Sequence, residues 1–270
     1  MKRLIYILIP VVVFWYPAAA QSDTSFHLVK KIPGDIVAFA VDNLDNMYLL
    51  SATNQLKKLR ANGDSMAVFN DVKKFGKATL IDVSNPLKVL LYYRDFATIV
   101  ILDRLLNVRN TIDLRKQQIL QVRAIGQSYD NKIWVYDEVE NKLKKIDEEG
   151  KLVVETPDFR LLFAEAPSPQ QIADQDKYVY LYDSARGVFV FDYYGALKNK
   201  LPITGWQNFQ VAGKYLFGSA GSLLFRYNTA TLRLEEWKLP EQLLQSAAFT
   251  FSSSRLYALT KEGIEIYSFH

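Results

Sequence analysis

Cysteine is absent from all 270 residues, and histidine occurs only twice, as His27 and His270. The chain therefore has no disulfides, no thiol chemistry, no zinc site built on thiolates and no lipid-modified cysteine. A Ser-His-Asp device needs a histidine in the interior of the fold, whereas these two lie near the ends of the chain. Both thiol catalysis and histidine-based nucleophilic catalysis are excluded on composition.

A strong charge of either sign is also lacking. The sequence has 33 Lys and Arg against 29 Asp and Glu, a formal net charge of +4, which falls to +2 once Lys2 and Arg3 are removed with an N-terminal leader. Nucleic-acid binding usually shows a concentrated basic excess, so no nucleic-acid partner is expected. The lysine pairs at 57–58, 73–74 and 144–145 lie on otherwise alternating segments, and solvated strand faces explain them.

The N-terminus has the features of an export signal. Residues 1–3 are Met-Lys-Arg, residues 4–16 form an apolar run interrupted only by one proline, and residues 18–20 are three alanines. We predict a signal peptide over residues 1–20 and a single domain over residues 21–270. Because the apolar run is shorter than the about 20 residues of a bilayer span, no transmembrane segment is expected after cleavage. The expected location is periplasmic, outer-membrane-associated or secreted.

Six copies of one strand-rich unit make up the rest of the chain, which shows no continuous helical period. The two clearest copies are residues 40–64 (AVDNLDNMYLLSATNQLKKLRANGD) and 124–151 (AIGQSYDNKIWVYDEVENKLKKIDEEGK). Equivalent second-strand residues are spaced by 43, 43, 46, 37 and 40: Tyr48, Leu91, Trp134, Tyr180, Phe217 and Tyr257. Such spacings are typical of four-stranded propeller blades.

The two ends of the chain complement each other. The sixth copy stops at His270 after its third strand, and an additional strand at residues 26–32 precedes the first copy. Pairing the two would close a ring and cover two strand edges. We predict an all-β fold: a six-bladed β-propeller of four-stranded antiparallel blades, in which the N-terminal strand completes the last blade. A seventh blade would need residues 151–169, which are too few.

This pattern resembles the NHL-type and related six-bladed β-propeller repeats of secreted bacterial proteins. The shared order is an apolar strand, Asp-x-x-Gly or Asp-Asn, an apolar-aromatic strand, a polar turn with Asn, a third strand and Asp-x-x-Gly. The second copy departs from it, with Ser84-Asn85-Pro86-Leu87 in the turn. The resemblance covers nearly all of residues 21–270 and implies the fold. Such folds host lactonases, lyases, sugar and peptide binders and scaffolds, so it does not select an activity.

The most acidic stretch, residues 144–150 (KKIDEEG), is predicted to be a turn. Asp147 follows the third strand, where other copies also have short polar residues that cap a turn through backbone N–H groups. Glu148 and Glu149 are then exposed turn residues. A glycine of positive φ is expected in the same position of three copies: Gly63, Gly150 and Gly195.

Any ligand is expected over the central channel, which the innermost strands line. Their polar residues are mostly amides, whereas a hard cation needs several converging carboxylate or amide oxygens. We therefore predict no metal, no cofactor and no catalytic residue. The candidate ligand-binding residues are Gln121, Arg123, Gln171, Gln207 and Asn208.

The longest connection between blades carries an apolar run that is a candidate partner contact, with buried packing as the alternative. Its residues are Phe159, Leu161, Leu162 and Phe163. We favour an exported, non-catalytic propeller that binds or scaffolds proteins of the cell envelope. The alternatives are a channel-centred enzyme of lactonase or lyase type, and a small-ligand sensor that uses the Gln/Asn/Arg-lined pocket.

Overall fold

The computed structural model describes residues 26–252 and 255–269. The expected signal peptide, residues 1–20, lies outside the described residues, as does His270. Strands dominate the described part, as expected from apolar-aromatic segments such as GVFVFD at residues 187–192. Its helices are short and lie in connections: α1 (Val72–Phe75), α2 (Phe159–Leu162) and the 3₁₀ turns Arg94–Phe96, Leu114–Gln117 and Glu241–Leu243.

The strands form six antiparallel sheets of four, as predicted. The first strand, β1 (Phe26–Pro33), precedes the first blade. The blades, in chain order, are β2 (Ile36–Val41), β3 (Met47–Ser51), β4 (Leu56–Leu59), β5 (Ser65–Phe69); β6 (Leu80–Asn85), β7 (Lys88–Tyr93), β8 (Thr98–Asp103), β9 (Val108–Asp113); β10 (Val122–Gln127), β11 (Ile133–Asp137), β12 (Lys142–Ile146), β13 (Leu152–Glu155); β14 (Gln171–Gln175), β15 (Tyr178–Asp183), β16 (Gly187–Asp192), β17 (Leu197–Leu201); β18 (Gln207–Ala212), β19 (Tyr215–Ala220), β20 (Leu223–Asn228), β21 (Arg233–Lys238); and β22 (Ala248–Phe251), β23 (Arg255–Thr260), β24 (Gly263–Phe269).

The sixth blade confirms the predicted closure. Its strand order is β22-β23-β24-β1, so the N-terminal strand supplies the outer edge. β1 runs antiparallel to β24, with His27 opposite Ser268 and Lys31 opposite Glu265. An irregularity between Leu28 and Lys30 bends the edge strand, a device that discourages pairing with other chains.

The second blade corrects one register assignment. In blade 1, Tyr48 of the second strand pairs with Lys58 of the third strand. Lys58 lies two residues before the first residue of the turn that follows that strand. The corresponding residue of blade 2, Ile101, pairs with Leu90 and not with Leu91. The prediction is wrong by one residue in this blade, where the pairing of the first two strands has an irregular register between Asp82 and Asn85.

The apolar core is divided among the blade interfaces. Each apolar cluster of the described residues joins two neighbouring blades. Trp134, for example, is fully buried and packs with Phe189 between blades 3 and 4. Burial of one such aromatic side chain contributes roughly 2–3 kcal/mol, so the ring derives its stability from the contacts between blades.

The acidic stretch is a turn, as predicted. The Asp147 Oδ1 atom accepts the backbone N–H groups of Glu149 at 3.1 Å and Lys151 at 2.7 Å, and Gly150 has a φ of 88°. Glu148, however, is not a free turn residue. It is half-buried, and its carboxylate lies 3.1 Å from the buried Lys88 Nζ of blade 2, which makes it a link between blades.

Three of the paired lysines are buried, so the expectation of solvated strand faces is wrong for them. Lys58 Nζ donates to the carbonyl oxygen of Arg104 in blade 2 at 3.1 Å. Lys144 Nζ lies 2.8 Å from the buried carboxylate of Asp137. Burial opposes the charge of Lys144, but its hydrogen bonds to Asp137 and Glu140 outweigh this effect and raise its pKa. Lys145 lies 4.7 Å above the Trp134 ring. The side chains of Lys58, Lys144 and Lys145 therefore form contacts within and between blades.

Candidate functional site

The axis of the ring holds a cavity of about 920 Å³. The first strands of the blades line it, with Ile125 as the contribution of blade 3 among the described residues. The wall is mixed, because apolar side chains such as Phe39 and Val211 alternate with polar ones. Its polar and charged side chains include Asp42, Asp82, Gln171, Asp174, Asn208, Gln210, Arg226 and Thr250.

The five channel residues predicted from the sequence do not come together. Gln171 and Asn208 line the cavity, whereas the other three do not. Gln121 and Arg123 lie where β10 begins and share one partner, Glu138, whose oxygens are 2.6 Å from Gln121 Nε2 and 3.7 Å from Arg123 Nη1. Gln207 is exposed at the start of β18. An anion-binding ring of these residues is therefore not formed.

Asn208 has a structural role in the wall. Its backbone φ is 53°, and its side chain donates to Ser219 Oγ at 3.2 Å and accepts the N–H of Phe249 at 3.0 Å. Gln171 differs, because its half-buried amide makes no side-chain hydrogen bond to any residue that the structure describes. Of the predicted set, Gln171 is thus the lining residue with hydrogen-bonding capacity left for a ligand.

The carboxylates of the channel are occupied by hydrogen bonds. Asp82 accepts the N–H of Gln127 in the next blade at 2.6 Å and that of Ser84 at 2.7 Å. Asp42 accepts the hydroxyl of Tyr48 at 3.0 Å and the N–H of Asn46 at 2.9 Å. A general base needs a free lone pair near a substrate, and these carboxylates are committed to the scaffold.

Asp174 of blade 4 accepts hydrogen bonds from three different side chains. It accepts Ser128 Oγ, Trp134 Nε1 and the Tyr193 hydroxyl, each at 3.0 Å. Burial, together with the charge of Asp174, raises the pKa of Tyr193 to about 12, so its hydroxyl stays a donor near neutral pH. Asp174 therefore joins blades 3 and 4 rather than serving as a proton acceptor.

The positive charge of Arg226 in the channel wall is also neutralised, in this case by a carboxylate. Arg226 donates from Nε to Glu235 at 2.7 Å and lies 5.0 Å from the ring of Trp237 and 5.1 Å from that of Tyr215. Among the described residues, no three His, Asp or Glu side chains are placed to hold a metal ion. What the channel offers a ligand is apolar surface and a few amides, with no proton-transfer pair.

The apolar connection between blades 3 and 4 is divided between core and surface. Phe159 is fully buried and stacks on Phe191 at 5.3 Å, and Phe163 packs edge-on against Phe189 at 5.0 Å. The two residues are four apart, so the short helix α2 turns both toward the core. Leu161 and Leu162 remain exposed, at 82% and 50%. Of the four predicted contact residues, these two are accessible to a partner.

Two further apolar side chains extend this surface. The N–H of Glu138 donates to the carbonyl of Gln121, and that of Phe159 to the carbonyl of Asn141, both at 2.9 Å. The turn at 138–141 therefore lies between the start of β10 and helix α2, and its neighbours form one surface. We call it the blade-3 patch: Leu120, Val139, Leu161 and Leu162, all exposed by half or more.

Fold and site together define a six-bladed β-propeller without a visible catalytic centre in its described part. No protein-family model and no curated protein matches the chain. No helix among the described residues is long and apolar enough to cross a membrane.

Solved structures resemble the chain in fold alone. Virginiamycin B lyase of Staphylococcus aureus, solved as an inactive variant with Quinupristin, has a TM-score of 0.63 at 12% identity, over 91% of this chain and 99% of that one. The WD40 domain of Neurospora crassa Pan2 has a TM-score of 0.65 at 9% identity, over 90% and 95%. PorZ, a bacterial surface component of the type-IX secretion system of Porphyromonas gingivalis, has 0.57 at 12%, over 86% and 30%.

Proposed function

We propose that this chain is an exported, non-catalytic β-propeller that binds proteins of the cell envelope as a scaffolding module. The observation that carries the proposal is a contrast between two regions. The charged side chains of the channel are hydrogen-bonded to other side chains and to backbone groups of the scaffold, whereas the blade-3 patch leaves four large apolar side chains in solvent. Exposed apolar patches rimmed by polar groups mark interaction sites.

The surroundings of the blade-3 patch suit a protein interface. Charged pairs border it, among them Arg123 with Glu138 and Arg160 with Asp158 at 2.5 Å. An apolar centre inside a polar rim is the usual anatomy of such interfaces. A standard interface buries about 800 Å² on each partner, so a partner would also cover the neighbouring turns.

The export part of the proposal depends on the sequence of residues 1–20, with its basic start, apolar run and three alanines. It implies a periplasmic, outer-membrane-associated or secreted protein. We also propose that the repeats are of the NHL type found in secreted bacterial proteins, on the pattern of residues 40–64 and 124–151.

The test is site-specific photocrosslinking in intact cells. A photoreactive amino acid replaces Leu161, and in a matched strain it replaces Leu44, which is exposed to a similar degree on blade 1. We expect a discrete protein adduct from position 161 and none of that size from position 44. No adduct at 161, or the same products from both positions, would refute the protein-binding role of this patch.

A small-ligand sensor is the second candidate, and the cavity itself favours it. Ligand pockets usually measure about 300–1,000 Å³, and this one has about 920 Å³ with the free amide of Gln171 in its wall. Calorimetric titration with a panel of sugars and short peptides tests it. Binding that Gln171→Leu abolishes would support the sensor, and no heat with any compound would remove it. A lyase or lactonase is less favoured, because the channel carboxylates are hydrogen-bonded within the scaffold.

A further inference from the structure

The opposite face of the ring carries a second concave surface. In each antiparallel blade, the turns after the first and third strands lie on one face of the ring. The turn after the second strand and the connections between blades lie on the other face, which carries the blade-3 patch. On the former face a concavity of about 590 Å³ opens between blades 3 and 4. We call it the tyrosine concavity, after its main lining residues: Tyr129, Tyr178, Tyr193, Tyr194, Lys177 and Lys198.

Two tyrosines of this concavity, Tyr129 and Tyr193, hold each other in place, and Tyr129 remains accessible, as does Tyr194. The rings of Tyr129 and Tyr193 stack at 4.1 Å with an interplanar angle of 18°. Lys145 Nζ lies under them, 5.8 and 5.7 Å from the two ring centres. Tyr129 is 65% exposed and Tyr194 86% exposed. A fixed aromatic surface that faces solvent loses little conformational entropy when it binds a ligand.

The backbone at the rim is unusual. Asp176 and Lys177 connect β14 to β15 with φ values of 52° and 73°, a turn in which asparagine and glycine are preferred. The N–H of Lys177 donates to the Tyr193 hydroxyl at 3.0 Å, which fixes this turn to the aromatic floor. A lysine in the left-handed region is uncommon, and residues in such conformations concentrate at binding sites.

Among the three charged residues that line the concavity, one cation forms no ion pair with a described residue. Lys198 Nζ lies 2.9 Å from the carboxylate of Asp192, so these two neutralise each other. Lys177 is exposed and forms no ion pair with any residue that the structure describes. A negatively charged group of a ligand would complement Lys177.

We propose that the tyrosine concavity binds a sugar ring that carries a carboxylate, the chemistry of a uronic-acid residue. Tyrosine offers an apolar ring face with a polar end, which matches the C–H faces and hydroxyl edges of a sugar. Lys177 is placed at the rim to meet the carboxylate.

The backbone argues against an extended peptide as the occupant. Peptides in that form are held largely through main-chain hydrogen bonds. Here the N–H groups of Tyr194 and Ala196 both donate to Asp192 Oδ1 at 2.9 Å, and that of Lys177 is used by Tyr193. The free groups are side-chain ends and ring faces, which suit a polyhydroxylated ligand.

The test is calorimetric titration of the full chain with trigalacturonic acid, its methyl ester and a proline-rich decapeptide. We expect the acid to bind about threefold more tightly than the ester, because an exposed ion pair contributes modestly. Tyr194→Ala should weaken binding about fivefold, as expected for loss of one ring contact. Lys177→Gln should abolish the preference for the acid over the ester. The matched control is Leu105→Ala, which truncates the equivalent turn position of blade 2.

Three results would overturn the proposal. The first is no binding of either saccharide at about 10 mM, well above the range of a weak specific site. The second is binding that Tyr194→Ala leaves unchanged while the variant keeps the circular dichroism spectrum of the parent. The third is binding of the decapeptide alone, which would assign the concavity to a protein segment. Each is independent of crosslinking at Leu161, so this proposal and the protein-binding role can fail separately.

Discussion

Asp174 is the side chain through which blades 3 and 4 can be tested most directly. Its carboxylate accepts three side-chain donors: Ser128 Oγ, Trp134 Nε1 and the Tyr193 hydroxyl. Trp134 is fully buried, so Asp174→Ala leaves its indole N–H without an acceptor, whereas the Ser128 hydroxyl can turn to Asp130. An unsatisfied buried donor costs about 1–3 kcal/mol, and we expect the free energy of unfolding to fall by about the same amount.

The conservative variant sharpens this test. In Asp174→Asn the remaining oxygen can serve Ser128 and Trp134, but the amide NH₂ then faces Tyr193, whose hydroxyl already accepts the N–H of Lys177. The tyrosine proton loses its acceptor at a half-buried position, so we expect a smaller loss of about 1 kcal/mol.

Urea unfolding of the full chain, followed by tryptophan fluorescence, measures both variants, with the slope of the unfolding free energy against urea as a check on the unfolded state. The control is Asp35→Ala, at an exposed carboxylate, with an expected change below about 0.5 kcal/mol. If Asp174→Ala unfolded at the same urea concentration as the Asp35 variant, the assignment of Asp174 as a joint between blades would be wrong.

Three further predictions concern other parts of the ring. A Cβ atom on Gly126 would lie 2.9 Å from the carbonyl oxygen of Ile172 in the next blade, so Gly126→Ala should lower stability by about 1–3 kcal/mol, measured as a lower thermal midpoint. Burial opposes the charge of Asp130, but Lys132, Ser128 and Lys145 outweigh it and hold its pKa at about 2, below the ordinary 3.8. The resulting stability is present above pH 4 and is lost as the pH falls toward 2, so Asp130→Asn should cost about 1–2 kcal/mol at pH 7, a difference that disappears near pH 2 in denaturant titrations. Deletion of residues 26–33 uncovers the edge of β24 and should give aggregates in size-exclusion chromatography, whereas a monomer of unchanged thermal midpoint would contradict closure by β1.

The fold could be predicted because repetition in the sequence mirrors repetition in the ring. Spacings between second strands and the extra strand at residues 26–32 depend only on local strand patterns. The site could not be predicted in the same way. Gln121 precedes an irregularity between Val122 and Ala124, and Arg123 lies within it; both contact Glu138 outside the channel. The alternation of polar and apolar residues along a strand does not reveal such a change in strand register.

The burial of charged side chains could not be predicted from the sequence for a related reason. Lys58 and Lys145 lie in Lys-Lys pairs that look like a solvated strand face, but Lys58 donates to carbonyl groups of blade 2 and Lys145 also contacts Tyr193 of blade 4. The tyrosine concavity shows the same limit. Tyr129 follows the first strand of blade 3 and Tyr193 the third strand of blade 4, and only the closed ring stacks them.

Asp174 also connects the joint between blades to the proposed saccharide site. It holds the hydroxyl of Tyr193, and Tyr193 in turn holds the N–H of Lys177 and the ring of Tyr129. A lysine in the left-handed region costs about 1–2 kcal/mol of folding free energy relative to an unstrained residue. Lys177→Gly should recover part of this cost, although glycine has greater conformational freedom in the unfolded chain. The protein therefore keeps a residue that stability alone would replace. If Lys177→Gly gained about 0.5–1 kcal/mol in urea unfolding and lost the preference for trigalacturonic acid over its ester, the strained turn would be explained by binding. A variant that gained stability and kept that preference would leave the strain without a functional reason.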